Sequence, residues 1–241
     1  MRVPQSLRSP RKGVGRTPPS AWSNVAVTDP TAARPIVRQA TRSDVPRLAA
    51  TLAAAYPDYR WTSWALPEDG RKQRLSRWAE LWSGLVGVEA GTTWVTDDCA
   101  AVAAWTAPDA APVAADLQAV IDRDLPRVFG TRQPVVLASE RLGAPGRPEE
   151  PHWWLTAVGT RPASRHRGLG AAVLQPVLDR CDADGVPAAA TVYTSTVVRW
   201  LQRSGFAVTR STRTAVDHEL PIWTLVRQPR SWSTDRTPAG A

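Results

Sequence analysis

The chain has 241 residues, with 30 Lys and Arg against 22 Asp and Glu, for a formal net charge of +8. A hydrophobic content of 43% is enough for a full core, so the composition excludes a chain disordered throughout. That much basic charge first suggests a nucleic-acid or membrane-surface partner, but its distribution argues otherwise.

Residues 1–35 carry six basic residues and one acid, a net +5, which leaves +3 for the other 206 residues. Residues 1–22 are rich in Arg, Pro, Ser and Gly and have no apolar periodicity. Such a segment buries too little surface to offset its ordering entropy, so residues 1–34 are expected to form a disordered basic tail. The leader also lacks the apolar run of roughly 7–15 residues that a secretory signal needs. No stretch approaches the roughly 18 apolar residues of a membrane span. Cys99 and Cys181 make neither a disulfide framework nor a metal quartet. His152, His166 and His218 lack zinc-like spacing, so no metal is expected. These features together suggest a cytoplasmic protein without nucleic-acid or membrane partners, acting as monomer or homodimer.

The 35–40 stretch PIVRQA alternates apolar and polar residues and reads as a short strand. Ser43, Asp44 and Pro46 mark a helix start, with Leu48, Leu52 and Ala55 as its apolar face. Residues 56–68 read as a loop bearing Tyr56, Tyr59, Trp61 and Trp64. Leu75, Trp78, Leu81, Trp82 and Leu85 recur at helical spacing. The 92–96 and 100–106 runs, split by Asp97-Asp98, read as a hairpin. Residues 107–150 form a long insertion with one helix marked by Leu117, Val120, Ile121 and Leu125, then a loop from Gly143.

Residues 152–160 (HWWLTAVGT) are apolar on both faces, as suits a central strand. A helix follows over residues 169–184, its buried stripe formed by Leu169, Val173, Val177 and Cys181, with Pro176 inside and Gly185 as its stop. A strand (188–193), a helix (195–204) and two strands (206–209, 221–226) complete a domain spanning 35–230, with a polar tail over 231–241. Among the 12 tryptophans, Trp105, Trp154 and Trp223 are expected in the core. The element pattern argues for an α/β domain with one central sheet.

The segment with most chemical content runs from Val158 through Gly168 and Gly170 to Ala171: a strand, a basic glycine-bearing turn, and a helix start. Unpaired N–H groups and the helix dipole make such a place attractive to a phosphate, and glycines let the anion approach the main chain. The Gly-Lys-Ser/Thr ending of a nucleotide P-loop and the third glycine of a dinucleotide fingerprint are both missing. Alone, Arg-x-x-Gly-x-Gly is equally compatible with a tight turn carrying surface arginines.

In its place after the long strand, the motif resembles the acetyl-CoA-binding turn of the GNAT superfamily of N-acetyltransferases, and Gly205-Phe206 resembles that superfamily's next landmark. Within it, the puromycin N-acetyltransferase group is most similar, through ATRSDVP (40–46), TLAAAYPDY (51–59), RPEEPHWWLTAVG (147–159) and RGLGAAVLQPV (167–177). The resemblance covers about 37–230 and implies a GNAT-type single α/β domain, a mixed central sheet flanked by helices in which the central strand and the next splay apart at the acetyl-CoA site. It implies acetyl-CoA as cosubstrate and a small-molecule amine as acceptor, plausible candidates being an aminonucleoside-like antibiotic or a biosynthetic intermediate.

On that basis Val158, Gly159 and Thr160 would pair with the acetyl-pantetheine arm. The N–H groups of Arg165, His166, Arg167, Gly168, Leu169, Gly170 and Ala171 would take the pyrophosphate. His166 stands where relatives commonly carry Gly, its side chain expected in solvent. The aromatic 56–64 loop would wall the acceptor site, with Tyr59 a substrate contact. The sequence departs from the family at the proton-transfer positions. Leu201 replaces the general-acid Tyr, Val197 an Asn, and Thr191 a Glu of the puromycin-type group. Either another hydroxyl substitutes, Tyr193 being the catalytic candidate beside Ser195 and Thr196, or the chain binds acyl-CoA with little or no transfer activity.

Overall fold

The computed structural model describes residues 35–215 and 219–230. The basic tail of residues 1–34, the polar tail of 231–241 and His218 therefore lie outside the described residues.

Seven strands form one mixed sheet in the order β1-β2-β3-β4-β5-β7-β6. They are β1 (Val37–Gln39), β2 (Thr93–Thr96), β3 (Ala101–Thr106), β4 (Trp153–Thr160), β5 (Ala188–Val192), β6 (Ala207–Arg213) and β7 (Pro221–Arg227). All neighbours are antiparallel except β4 and β5. The 92–106 hairpin, the central strand and the final strand pair thus appear as expected from their apolar patterns.

The helices are α1 (Val45–Ala55), α2 (Arg60–Ala65), α3 (Arg71–Ala79), α4 (Gly87–Glu89), α5 (Ala115–Phe129), α6 (Gln133–Gly143), α7 (Leu169–Asp184) and α8 (Ser195–Gln202). A π-helical stretch, Glu80–Val86, joins α3 to α4. α1 is preceded by a capping box in which Asp44 accepts from the Thr41 N–H at 2.9 Å. α7 has the bounds its periodicity predicts and stops at Gly185, where φ is +68°. Pro176 is accommodated inside it, between the buried Val173 and Val177.

Three expectations need correction. The 56–68 stretch is not all loop: α2 lies within it, and Trp61 and Trp64 are buried in a core formed with α3, α5 and α6. The 107–150 insertion holds a second helix, α6. Trp154 and Trp223 are only half buried, on the alternate face of their strands, whereas Trp105 is core as expected.

Two further cores cover the sheet. One packs α7, α8, β5 and β7 around Leu174, Leu178, Leu201 and Leu225. The other sets α1 through Leu48 and Leu52 against Val95, Val102 and Ala157. Gly159 permits that approach, since a Cβ there would lie 2.9 Å from both Ala55 Cβ and Leu52 Cδ2.

Candidate active site

The parallel β4–β5 ladder is short. Trp153, Trp154 and Leu155 pair with Ala188, Ala189 and Ala190, and pairing then stops although both strands continue. Its cause is visible on the other side of β4. Ala104 pairs with Ala157 but Trp105 with Leu155, so Thr156 is an extra residue opposite β3. Such a bulge bends its strand and strengthens the local twist. Beyond it, Thr156 through Thr160 turn away from β5 and leave one edge of the sheet's central strand open.

A cavity of about 340 Å³ occupies this opening. Its floor is β4 from Trp154 to Val158 and β5 from Ala190 to Tyr193, with Val197 of α8 beside them. Tyr56, Tyr59, Trp61, Trp78 and Trp82 form one wall, and Glu140 and Arg147 reach in from α6 and the segment after it. The aromatic wall is continuous. Tyr56 stacks on Tyr59 at 5.3 Å between ring centroids, and Tyr59 meets Tyr193 edge-on at 6.1 Å. Trp61 joins Trp78 at 5.2 Å and Tyr193 at 6.3 Å. A larger cavity of about 440 Å³, lined by Arg60, Ser63, Trp64, Glu68, Arg71 and Arg132 among others, includes no residue of β4, β5 or α7.

The main chain expected to receive a pantetheine arm has a protein partner here. The Tyr56 hydroxyl donates to the Val158 carbonyl at 2.7 Å and accepts from the Val158 N–H at 3.0 Å. Burial pushes this phenol up to about 12, so it remains a neutral donor and acceptor. The sequence reading placed Tyr56 only among wall aromatics and missed this role. A hydroxyl bridging across 102 positions in sequence leaves no local signal.

The basic turn lies at the far end of β4. Gly168 has φ +75° and opens α7. The first main-chain bond of the helix runs from Ala172 N–H to Gly168 C=O, so the N–H groups of Leu169, Gly170 and Ala171 have no main-chain acceptor among the described residues. Arg165 differs from expectation, because its N–H already bonds Pro162 C=O at 3.3 Å and its guanidinium donates to Ala55 C=O at 3.0 Å. His166 is exposed at φ +62°, a conformation that favours the Gly seen in relatives. Gly170 is constrained by packing: a Cβ would lie 3.2 Å from Thr160 Oγ1 and 3.2 Å from Trp200 Cζ2. Arg167 is exposed on the turn. The turn therefore offers free N–H groups and cationic side chains at the end of the opening.

The departures from the family separate into two kinds. Thr191 and Val197 line the cavity, but Leu201 is fully buried in the α7–α8 core and does not face it. Thr191 Oγ1 has no hydrogen-bond partner among the described residues and lies under α6, 3.2 Å from where a Cβ on Gly143 would be. Tyr193 faces the cavity, its hydroxyl pushed up first by burial and then by Glu140. Tyr59 also lines it, but its hydroxyl accepts the Tyr193 N–H at 3.0 Å and so ties the loop to the end of β5.

Two charged residues escaped the sequence reading. Desolvation raises the Glu140 carboxyl above its usual range, against the opposing pull of Arg147. Arg147 stacks its guanidinium over the Trp154 ring at 3.6 Å, and desolvation lowers its proton affinity. Both were assigned to an insertion whose second helix was not recognised.

No family model matches the chain. Its fold is similar to several solved structures. The histone acetyltransferase HPA2 and related acetyltransferase of Corynebacterium glutamicum is 21% identical with a TM-score of 0.60, the match covering 83% of this chain and 98% of that one. An agmatine N-acetyltransferase is 18% identical with a TM-score of 0.54, covering 80% and 98%. A mosquito arylalkylamine N-acetyltransferase-like protein is 16% identical with a TM-score of 0.52, covering 80% and 99%. The seven-stranded mixed sheet, opened between β4 and β5 and flanked by helices, is the fold of the GNAT N-acetyltransferases.

Proposed function

We propose that the chain is an acetyl-CoA-dependent N-acetyltransferase for a small-molecule amine. The observation that carries this reading is the open edge of β4, which leads from the unpaired N–H groups at the start of α7 to an aromatic cavity. Phosphate oxygens suit the Leu169, Gly170 and Ala171 N–H groups, and the Arg165 and Arg167 side chains add positive charge around them. An extended arm from that point follows β4 toward Val158, whose N–H and C=O face the opening. Bound acetyl-CoA would supply the acetyl thioester, and the acceptor amine would enter through the aromatic wall.

With Leu201 buried, a proton for the departing thiolate has to come from another group. Tyr193 and Tyr56 are the phenols lining the cavity besides Tyr59, and burial keeps both protonated at neutral pH. A thiol with a pKa near about 8.5 leaves without strong acid assistance, so the absence of the family Tyr is compatible with turnover. The substrate class follows from the wall: flat or aromatic amines suit it. The puromycin-type sequence resemblance adds aminonucleosides to the candidates, and the mosquito neighbour's name adds arylalkylamines.

The test is a thiol-release assay with acetyl-CoA against aminonucleosides, arylalkylamines and polyamines. CoASH release that depends on one of these amines is the expected result. Acetyl-CoA binding without release across the whole panel would replace this reading with that of a non-catalytic acyl-CoA-binding relative.

A further inference from the structure

The cavity is lined by one carboxylate, that of Glu140, whose desolvation the charge of Arg147 opposes without a direct ion pair. Glu140 makes no hydrogen bond with the described residues, and none of their cationic groups comes within the 4.0 Å of an ion pair. Arg147 is its cationic neighbour, but that guanidinium is committed to the face of Trp154. Elsewhere the chain pairs its enclosed acids: Asp44, Asp124 and Asp182 each hold at least one arginine. Glu140 is an exposed residue of α6, and the protein around its carboxyl raises its affinity for a proton.

Its position is set by α6. Gly143, one turn further along the helix, lies directly on Thr191 of β5. Position 191 of that strand is a Thr with its hydroxyl sealed beneath the helix. The helix packed on that position presents the Glu140 carboxylate to the same cavity. Tyr56, Tyr59 and Trp78 line the same cavity as a packed aromatic group. A carboxylate that shares a cavity with aromatic rings suits a cation carried on an aromatic body.

We propose that Glu140 is the docking group for the ammonium of an aromatic primary amine, the amine's ring lying against the Tyr56–Tyr59–Trp78 wall. The inference rests on the acetyltransferase reading only for what happens to the amine afterwards. Binding of the amine itself can be measured separately.

Isothermal titration of the full chain with 2-phenylethylamine and with its uncharged analogue 2-phenylethanol provides the test. Wild type should bind the amine at least tenfold more tightly than the alcohol. Glu140→Gln should bring the two affinities within twofold of each other, and Glu140→Ala should do the same. Acetyl-CoA binding by both variants should match wild type, which also shows that they fold. Equal affinities in wild type, no binding of either probe, or a preference that survives Glu140→Gln would each overturn the proposal. Failure of the acetyltransferase reading looks different: no acetyl-CoA binding by wild type, with the amine preference intact.

Discussion

One residue occupies the main chain that the proposed cosubstrate would need. The Tyr56 hydroxyl satisfies both the N–H and the C=O of Val158, at 3.0 and 2.7 Å. An arm that pairs with β4 has to displace it, and the displacement subtracts from binding. Tyr56→Phe keeps the ring and its stacking on Tyr59 but leaves both Val158 groups unpaired. Leaving such groups unsatisfied costs about 1–3 kcal/mol, so the free variant should melt at a lower temperature than wild type. Saturating acetyl-CoA should then raise its melting temperature by more than it raises that of wild type, because the vacated groups pair with the ligand. Differential scanning fluorimetry with and without acetyl-CoA measures both quantities. An unchanged ligand-induced shift would mean that the arm does not use Val158. At the same scale, Leu201, where the resemblance implies a general-acid Tyr, is a fully buried core residue on the helix of Val198. A Tyr there would first have to fit a packed interior, at about 1–3 kcal/mol of strain.

At the scale of elements, the sequence was informative wherever periodicity and burial coincide. The 169–184 helix was legible from a four-membered apolar stripe and a terminal glycine, and β4 from eight residues with few polar interruptions. α6 was not, because its buried face is Val136, Ser139 and Gly143 while Leu137 and Leu142 are exposed. The usual apolar signal is reversed there, so the residues that reach the cavity from it, Glu140 above all, could not be placed. α2 is only six residues long, too short for its two tryptophans to establish a period. The β4–α7 junction, by contrast, was readable because glycines at fixed positions carry backbone information. Gly168 supplies a left-handed conformation, and Gly170 supplies contact with Thr160 and Trp200. Gly170→Val places a branched side chain against both neighbours, whose atoms are already 3.2 Å from a simple Cβ. The first turn of α7 should shift off the end of β4. Acetyl-CoA affinity is expected to fall by at least tenfold by isothermal titration, with far-ultraviolet circular dichroism close to wild type. Retained affinity would show that the ligand does not use this helix start.

Across the whole molecule, the central ladder is weak and the outer parts of the sheet are fastened by charge. Three parallel residue pairs join the β1–β4 portion to β5–β7. Near one edge, Asp44 accepts from Arg38 at 2.7 and 3.0 Å, from Arg47 at 3.0 Å and from Thr41, joining β1 to the start of α1. Near the other, Asp182 of α7 takes a two-pronged grip from the buried Arg227 of β7 at 2.8 and 2.7 Å. The Arg38 guanidinium holds the Asp44 carboxyl far below its ordinary value of 3.8, and Arg227 likewise lowers Asp182. In the unfolded chain both return to ordinary values, so on acidification the unfolded state takes up protons first. The stabilisation from these pairs is complete above the unfolded values and is lost as pH falls through the depressed folded ones. Urea midpoints should therefore be nearly level between about pH 5 and 8 and fall steeply below about pH 4. Asp44→Ala should lose about 2 kcal/mol at neutral pH, since it strips partners from Arg38 and from the Thr41 cap together. With that acid gone, its share of the acid-induced loss disappears as well, and the decline below about pH 4 should be shallower than in wild type. Parallel slopes for the two proteins would show that Asp44 titrates alike in folded and unfolded states, and that the cluster at this edge does not set the acid limit of the fold.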